Sequence, residues 1–309
     1  MSARHRCGGS APIEDASVLS VWPVAQQTAR DQRRGRYLPA STAHPGKMLP
    51  ELARTIIRAY SAPGELALDP MSGIGTTLVE AVHLDRDAIG VELEPRWAAL
   101  AAGNVNLARE QGAPAHALCL LGDARRLGRG LLDELAGQVA LILTSPPYGP
   151  SLHGQVKAGH GRPVEKRDDR YSRNRDNLAH LPSERGRAGR PSFADALAEI
   201  LAGCRRMLAP QGRLVLTARP YRSQGALVDL PGQITALAAG AGLALAERRV
   251  ALLCALRGGE LVPRTSFFQL QRQRTGAIPR MLLIAHEDVF VFAPERQHRA
   301  EAQTARAGR

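Results

Sequence analysis

The stretch Glu65–Ala81, ELALDPMSGIGTTLVEA, decides the fold. It opens as a short apolar strand, breaks at Asp69-Pro70, passes Gly73 and Gly75, and resumes as a helical pattern from Thr76. Glycines at these positions let the chain turn tightly and let backbone approach a ligand, while the helix behind them offers free N–H groups. A dinucleotide phosphate site wants a third glycine three residues after Gly75, but Leu78 stands there. Asp69, at the strand's end, would repel a pyrophosphate and suits a cationic amino group.

Outward from this turn, strand and helix alternate. Strands read at 65–70, 87–95, 116–124, 139–145, 213–220, 245–256 and 281–293. Helices read at 76–84, 96–110, 130–137, 193–208 and 228–242. The alternation predicts an α/β, Rossmann-like fold, with an open, mostly parallel seven-stranded sheet and helices on both faces. Residues 1–43 are polar and arginine-dotted, including RDQRRGR at Arg30–Arg36, and read as an arm, partly disordered, with helix around 24–33. The fold proper is expected over 44–295, and 296–309 reads as a polar tail.

The 309 residues suffice for a sizeable core, and their net charge of +12 favours an acidic partner, nucleic acid first. Only three lysines stand among the 41 cations, a bias that base composition explains. Base composition does not explain the excess of cations over carboxylates. No run approaches a membrane span, and no signal-peptide core opens the chain. The four cysteines lack metal-ligand spacing, so reduced thiols, a cytoplasmic location and no metal are expected.

Two further carboxylates fall at strand ends. Glu92 in GVELEP lies 23 residues after Asp69, where it can take both ribose hydroxyls, and Asp123 in LLGDARRL can accept from an adenine amine. Each alone reads equally well as a helix cap or a solvated charge. Three at consecutive strand ends, around a Gly-x-Gly turn, predict one ligand site at the carboxyl edge of the sheet. A cofactor with an ammonium, a sulfonium and no phosphate fits it, so S-adenosylmethionine is favoured over NAD.

With DPMSGIGTT (69–77), GVELEP (90–95), GDA (122–124) and TSPPYG (144–149), the chain resembles the class I S-adenosylmethionine-dependent methyltransferases. More narrowly it resembles the DNA amino-methyltransferases that modify N4 of cytosine or N6 of adenine. The motifs cover about 44–150, and the pattern extends to about 293. The resemblance implies cofactor contacts by Asp69, Gly73, Gly75, Thr76, Thr77, Glu92 and Asp123. HPGKM (44–48) looks like the family's segment before the glycine turn, which adds His44 and Lys47.

In LILTSPPYGP, Leu141–Pro150, a buried strand runs into Ser145, Pro146, Pro147 and Tyr148. The prolines stop strand and helix alike and fix the turn. An exocyclic base amine is conjugated with its ring and therefore a poor nucleophile. Acceptors for its protons localise the lone pair, and the Ser145 hydroxyl and Pro146 carbonyl are suited to this. Tyr148 would stack on a base swung out of its helix. In the family, Ser before the prolines goes more often with cytosine N4, so DNA cytosine-N4 methylation in a restriction–modification setting is expected. RNA amine or N6-adenine methylation is the alternative, and a non-catalytic nucleic-acid-binding protein is a third reading.

Two departures bear on this. Many relatives place the catalytic motif first, whereas here the cofactor motif leads, and no large recognition domain is evident. The insert 151–191 carries ten Lys or Arg against five carboxylates. It predicts a cationic flap that grips phosphates through Lys157, Arg167, Arg170, Arg173 and Arg175.

Overall fold

The computed structural model describes residues 18–147, 156–157, 165–166, 172, 174–182, 190–223, 226–264 and 285–295. The first strands are β1 (Val21–Trp22), β2 (Leu66–Asp69), β3 (Asp87–Glu92), β4 (Ala117–Leu121), β5 (Val139–Thr144), β6 (Val156–Lys157) and β7 (Glu165–Lys166). Then come β8 (Leu208–Ala218), β9 (Tyr221–Ser223), β10 (Ala226–Val228), β11 (Leu243–Leu252), β12 (Cys254–Arg257), β13 (Glu260–Pro263) and β14 (His286–Pro294). The helices are α1 (Ala29–Arg33), α2 (Pro50–Tyr60), α3 (Thr76–His83), α4 (Pro95–Glu110), α5 (Phe193–Met207) and α6 (Leu230–Gly240).

Eight strands, not the expected seven, form the main sheet, in the order β1-β11-β14-β8-β5-β2-β3-β4. Only β14 runs against its neighbours, β11 and β8; the remaining pairs are parallel. The eighth strand, β1, comes from the stretch read as an arm. Few apolar residues mark that stretch, but they are well placed. Trp22 is buried, its ring 6.5 Å from Tyr60 and covered by the Arg249 guanidinium at 5.1 Å. Tyr37 is also buried, and its hydroxyl donates to Glu80 at 2.8 Å. Glu80, fully enclosed on α3, also takes charged hydrogen bonds from Arg36 and Arg54. The segment is therefore anchored by two isolated aromatics and by Arg36, and an arginine is a residue type that a tally of polarity reads as solvent-facing.

The apolar run of β5 has both faces covered, as a central parallel strand requires. Leu141 and Leu143 meet α2 and α3 through Leu52, Ile56, Ile57 and Leu78, while Ile142 meets α5 through Leu197, Ile200 and Leu201. Burying each such side chain contributes about 1.5–3 kcal/mol. Helix α2, not read from the sequence, begins at Pro50 and buries Leu52, Ala53, Ile56 and Ile57 on one stripe. The helix expected at 130–137 is a 3-10 turn, Asp133–Leu135, flanked by Gly130 and Gly137 in left-handed conformation. The single strand expected over 245–256 divides into β11 and β12, and β12 turns away to pair with β13.

The strand order reverses between β2 and β5, with β3 and β4 on one side and β8 on the other. The carboxyl ends of these strands therefore open a crevice at the switch point, where ligands of such sheets bind.

Candidate active site

At the end of β2, Asp69 is buried, 5% exposed, and two donors fix its carboxylate. One oxygen accepts from the Met71 amide at 3.1 Å, the other from the Thr77 hydroxyl at 2.6 Å. Burial pushes its carboxyl up to about 6, against these hydrogen bonds. Thr77 thus orients Asp69 as well as lining the pocket beside it.

Glu92, at the end of β3, faces the same turn. One oxygen accepts from the Gly73 amide at 2.8 Å and the other from the Glu94 amide at 2.9 Å. Burial raises this carboxyl to about 7, with Asp69 and Glu94 adding repulsion. An ionised carboxylate has about four acceptor sites, so Asp69, with the Thr144 hydroxyl also beside it, and Glu92 each keep acceptor capacity for a ligand hydroxyl or ammonium.

The two glycines do different work. Gly73 has φ +54, and a Cβ there would stand 3.3 Å from the His44 ring. Gly75 has φ +79 and caps α3; its Cβ would meet Ala101 of α4 at 3.1 Å. Gly75 therefore lets two helices close together, a reason the sequence did not reveal. His44 is buried against Trp97 with ring centroids 4.6 Å apart, and burial pushes its pKa down to about 3, so the ring is neutral. Lys47 donates to the carbonyls of His44 and Thr42, and burial lowers its pKa to about 8.

Three adjoining hollows use these residues. The first holds His44, Lys47, Asp69, Gly73, Thr76, Thr77 and Ser145. The second, beyond Met71 and Glu92, holds Asp123 and Arg125 and is closed by Asp176, Asn177 and Leu178. Asp123 caps the following turn and is paired with Arg125, so it stands at this hollow's edge already partly neutralised. The third is a large, open cleft with Lys47, Ser145, Pro146, Pro147, Arg219 and Arg264 among its walls. Ser145 belongs to the first hollow and to the cleft, and Pro147 to the second hollow and the cleft. The stiff turn is the wall between them.

The residues fit the expected cofactor. Two buried carboxylates with spare acceptor sites suit an ammonium and a ribose diol, and their charge opposes a phosphate. Among the described residues no group of three His, Cys, Asp or Glu is placed to hold a metal ion, and no helix is long and apolar enough to cross a membrane.

Tyr148, Arg167, Arg170 and Arg173 lie outside the described residues. So does the side chain of Lys157, whose backbone forms part of β6. Arg175 is exposed. Three residues of the insert's second half, Asp176, Asn177 and Leu178, instead line the Glu92–Asp123 hollow. That half is tied down by Glu94, buried at the start of α4, which accepts from the Ser172 hydroxyl and, at 3.2 Å, from the Asn174 amide. Asn104 was also unread: from α4 its amide donates to the Ile74 carbonyl at 2.8 Å, bracing the glycine turn. A second carboxylate in GVELEP was the available signal for Glu94; nothing in the sequence marks Asn104.

A profile of the DNA methylase family of N6 and N4 amino-methyltransferases matches residues 11–102. The tRNA (guanine(10)-N2)-dimethyltransferase of Methanocaldococcus jannaschii is 32% identical over 109 residues, 35% of this chain and 30% of that protein. The Type II methyltransferase M.SmaI of Serratia marcescens is 46% identical over 50 residues, 16% of this chain and 17% of its own length. Across four curated relatives the matched part spans between 14% and 30% of the relative's length. The crystal structure of TrmN from Thermus thermophilus is similar at a TM-score of 0.46 and 21% identity, covering 85% of this chain and 53% of that one.

Proposed function

We propose that this chain, which carries a class I S-adenosylmethionine-dependent methyltransferase domain related to the N6/N4 DNA methylases, methylates an exocyclic amine of a nucleic-acid base. The observation that carries the reading is the position of Ser145, on the wall shared by the Asp69 pocket and the large cleft. When bound, the cofactor supplies an electrophilic methyl group. Asp69 takes its ammonium, Glu92 its ribose hydroxyls, and the hollow edged by Asp123 its adenine. The target base enters the cleft, where the Ser145 hydroxyl and Pro146 carbonyl accept from the amine protons and aim the lone pair at the cofactor pocket. Rigid prolines hold both acceptors, so little reorganisation accompanies transfer.

Two targets compete. Ser145 before the prolines supports N4 of cytosine in DNA. An RNA base amine has the better support: the dimethyltransferase alignment is longer than those to the Type II enzymes, and the cofactor turn precedes the proline turn. The test is to incubate the protein with isotopically labelled cofactor and either unmodified DNA or RNA, then digest to nucleosides and identify the product by mass spectrometry. Label on an exocyclic nitrogen is the expected result. Label on ring carbon C5, or on neither polymer while S-adenosylhomocysteine still binds, would contradict the reading.

A further inference from the structure

The cleft does not end at Lys47. Past it lies a groove of the N-terminal segment, lined by Arg30, Arg33, Arg34, Tyr37 and Lys47 and by no carboxylate. Ala29 and Lys47 belong to both cleft and groove, so the two form one continuous trough. Within the cleft Arg219 and Arg264 continue the positive lining, relieved by Glu287. The groove's cations differ in how firmly they are held. Arg33 is 8% exposed and donates to the Ala29 carbonyl at 3.0 Å and the Met48 carbonyl at 2.5 Å. It makes no direct ion pair among the described residues; its guanidinium lies over the Tyr37 ring at 5.8 Å, and the more distant Glu80 offsets part of its charge. Arg30 and Arg34 are exposed; Arg34 reaches Asp31 at 2.6 Å, a solvated pair that contributes little and exchanges readily. The neighbouring Arg36 is different, because Glu80 already holds it.

A base seated in the cleft leaves its own sugar and phosphates at the mouth, and the strand must continue along a surface that tolerates negative charge. We propose that the groove formed by Arg30, Arg33, Arg34 and Lys47 binds the phosphodiester backbone of the strand that carries the target base. The inference rests on the nucleic-acid reading of the cleft, and it assigns backbone binding to α1 and its flanks rather than to the insert alone. Arg33 and Lys47, fixed by carbonyls, set the potential, and Arg30 and Arg34 make the movable contacts.

The test is fluorescence anisotropy with a mixed-sequence single-stranded DNA oligonucleotide and its RNA counterpart over a range of salt. It compares wild type, Arg30→Ala/Arg34→Ala and Arg30→Lys/Arg34→Lys. Losing two phosphate contacts should make the dependence of log affinity on log salt shallower by about 1.4, from about 0.7 per contact on a single strand. The lysine pair should restore most of the slope, and S-adenosylhomocysteine affinity, read by calorimetry, should stay at the wild-type value in both variants. A wild-type slope in the alanine pair, with wild type binding and methylating the oligonucleotide, would overturn the groove and leave the proposed function standing. A wild type that binds S-adenosylhomocysteine but neither these oligonucleotides nor their duplexes would overturn both.

Discussion

Glu92 spends one acceptor site of each oxygen on backbone amides, and its burial raises it to about 7, above Asp69 at about 6. The sign of the pH dependence follows. A carboxyl raised on folding holds its proton more tightly in the folded apoprotein than in the unfolded chain. Its contribution to stability is therefore greatest at low pH and falls as pH rises through about 6 to 7. Cofactor binding runs the other way, because it uses the ionised forms. Affinity for S-adenosylhomocysteine is expected to weaken about tenfold or more between about pH 8 and about pH 5.5. Calorimetry across that range checks this, and Glu92→Gln should remove the upper part of the dependence while weakening binding throughout. A flat profile in wild type would remove Asp69 and Glu92 from the cofactor's contacts. His44, neutral above about 3, contributes no step in the window.

At the scale of elements, two tethers hold pieces that the sequence left loose. The buried Glu80 on α3 gathers Arg36, Arg54 and Tyr37 and so fastens the N-terminal segment to the sheet. Removing one member of a buried pair typically costs about 3–5 kcal/mol. Arg36 and Arg54 keep 24% and 26% of their side chains in water, so Glu80→Ala is expected near the lower end, about 3 kcal/mol by denaturant unfolding. The second tether, Glu94 to Ser172 and Asn174, seats the insert's second half over the Glu92–Asp123 hollow. Ser172→Ala should weaken S-adenosylhomocysteine binding several-fold and hasten proteolysis within 151–191. Unchanged affinity would mean that this half of the insert does not shape the cofactor site.

Such tethers explain what could be read in advance. The strand–turn–helix at 65–84 was legible because Gly73 and Gly75 and a run of apolar residues are local signals, and β5 because its apolar run stops at two prolines. Glu80, Asn104 and Glu94 were not, since each acts on residues 44, 63 and 78 positions away. The packing of residues 18–43 was not legible for the same reason: their anchoring partners, Glu80, Asn104 and β11, are all remote in sequence.

Over the whole molecule, charge and topology converge on one edge. The carboxyl ends of β2, β3, β4 and β5 gather the carboxylates and the proline turn, while the cationic trough runs from Arg264 past Lys47 to α1. A carboxylate-bearing cofactor pocket thus adjoins a cationic trough, and Lys47 and Ser145 stand at the junction. Single-turnover kinetics of Ser145→Ala, alongside S-adenosylhomocysteine calorimetry, tests most directly whether this junction performs methyl transfer. Losing one aligned acceptor should slow transfer to a base amine about a hundredfold or more. Cofactor affinity should stay close to the wild-type value. Transfer at the wild-type rate in Ser145→Ala, with the cofactor bound normally, would contradict the account.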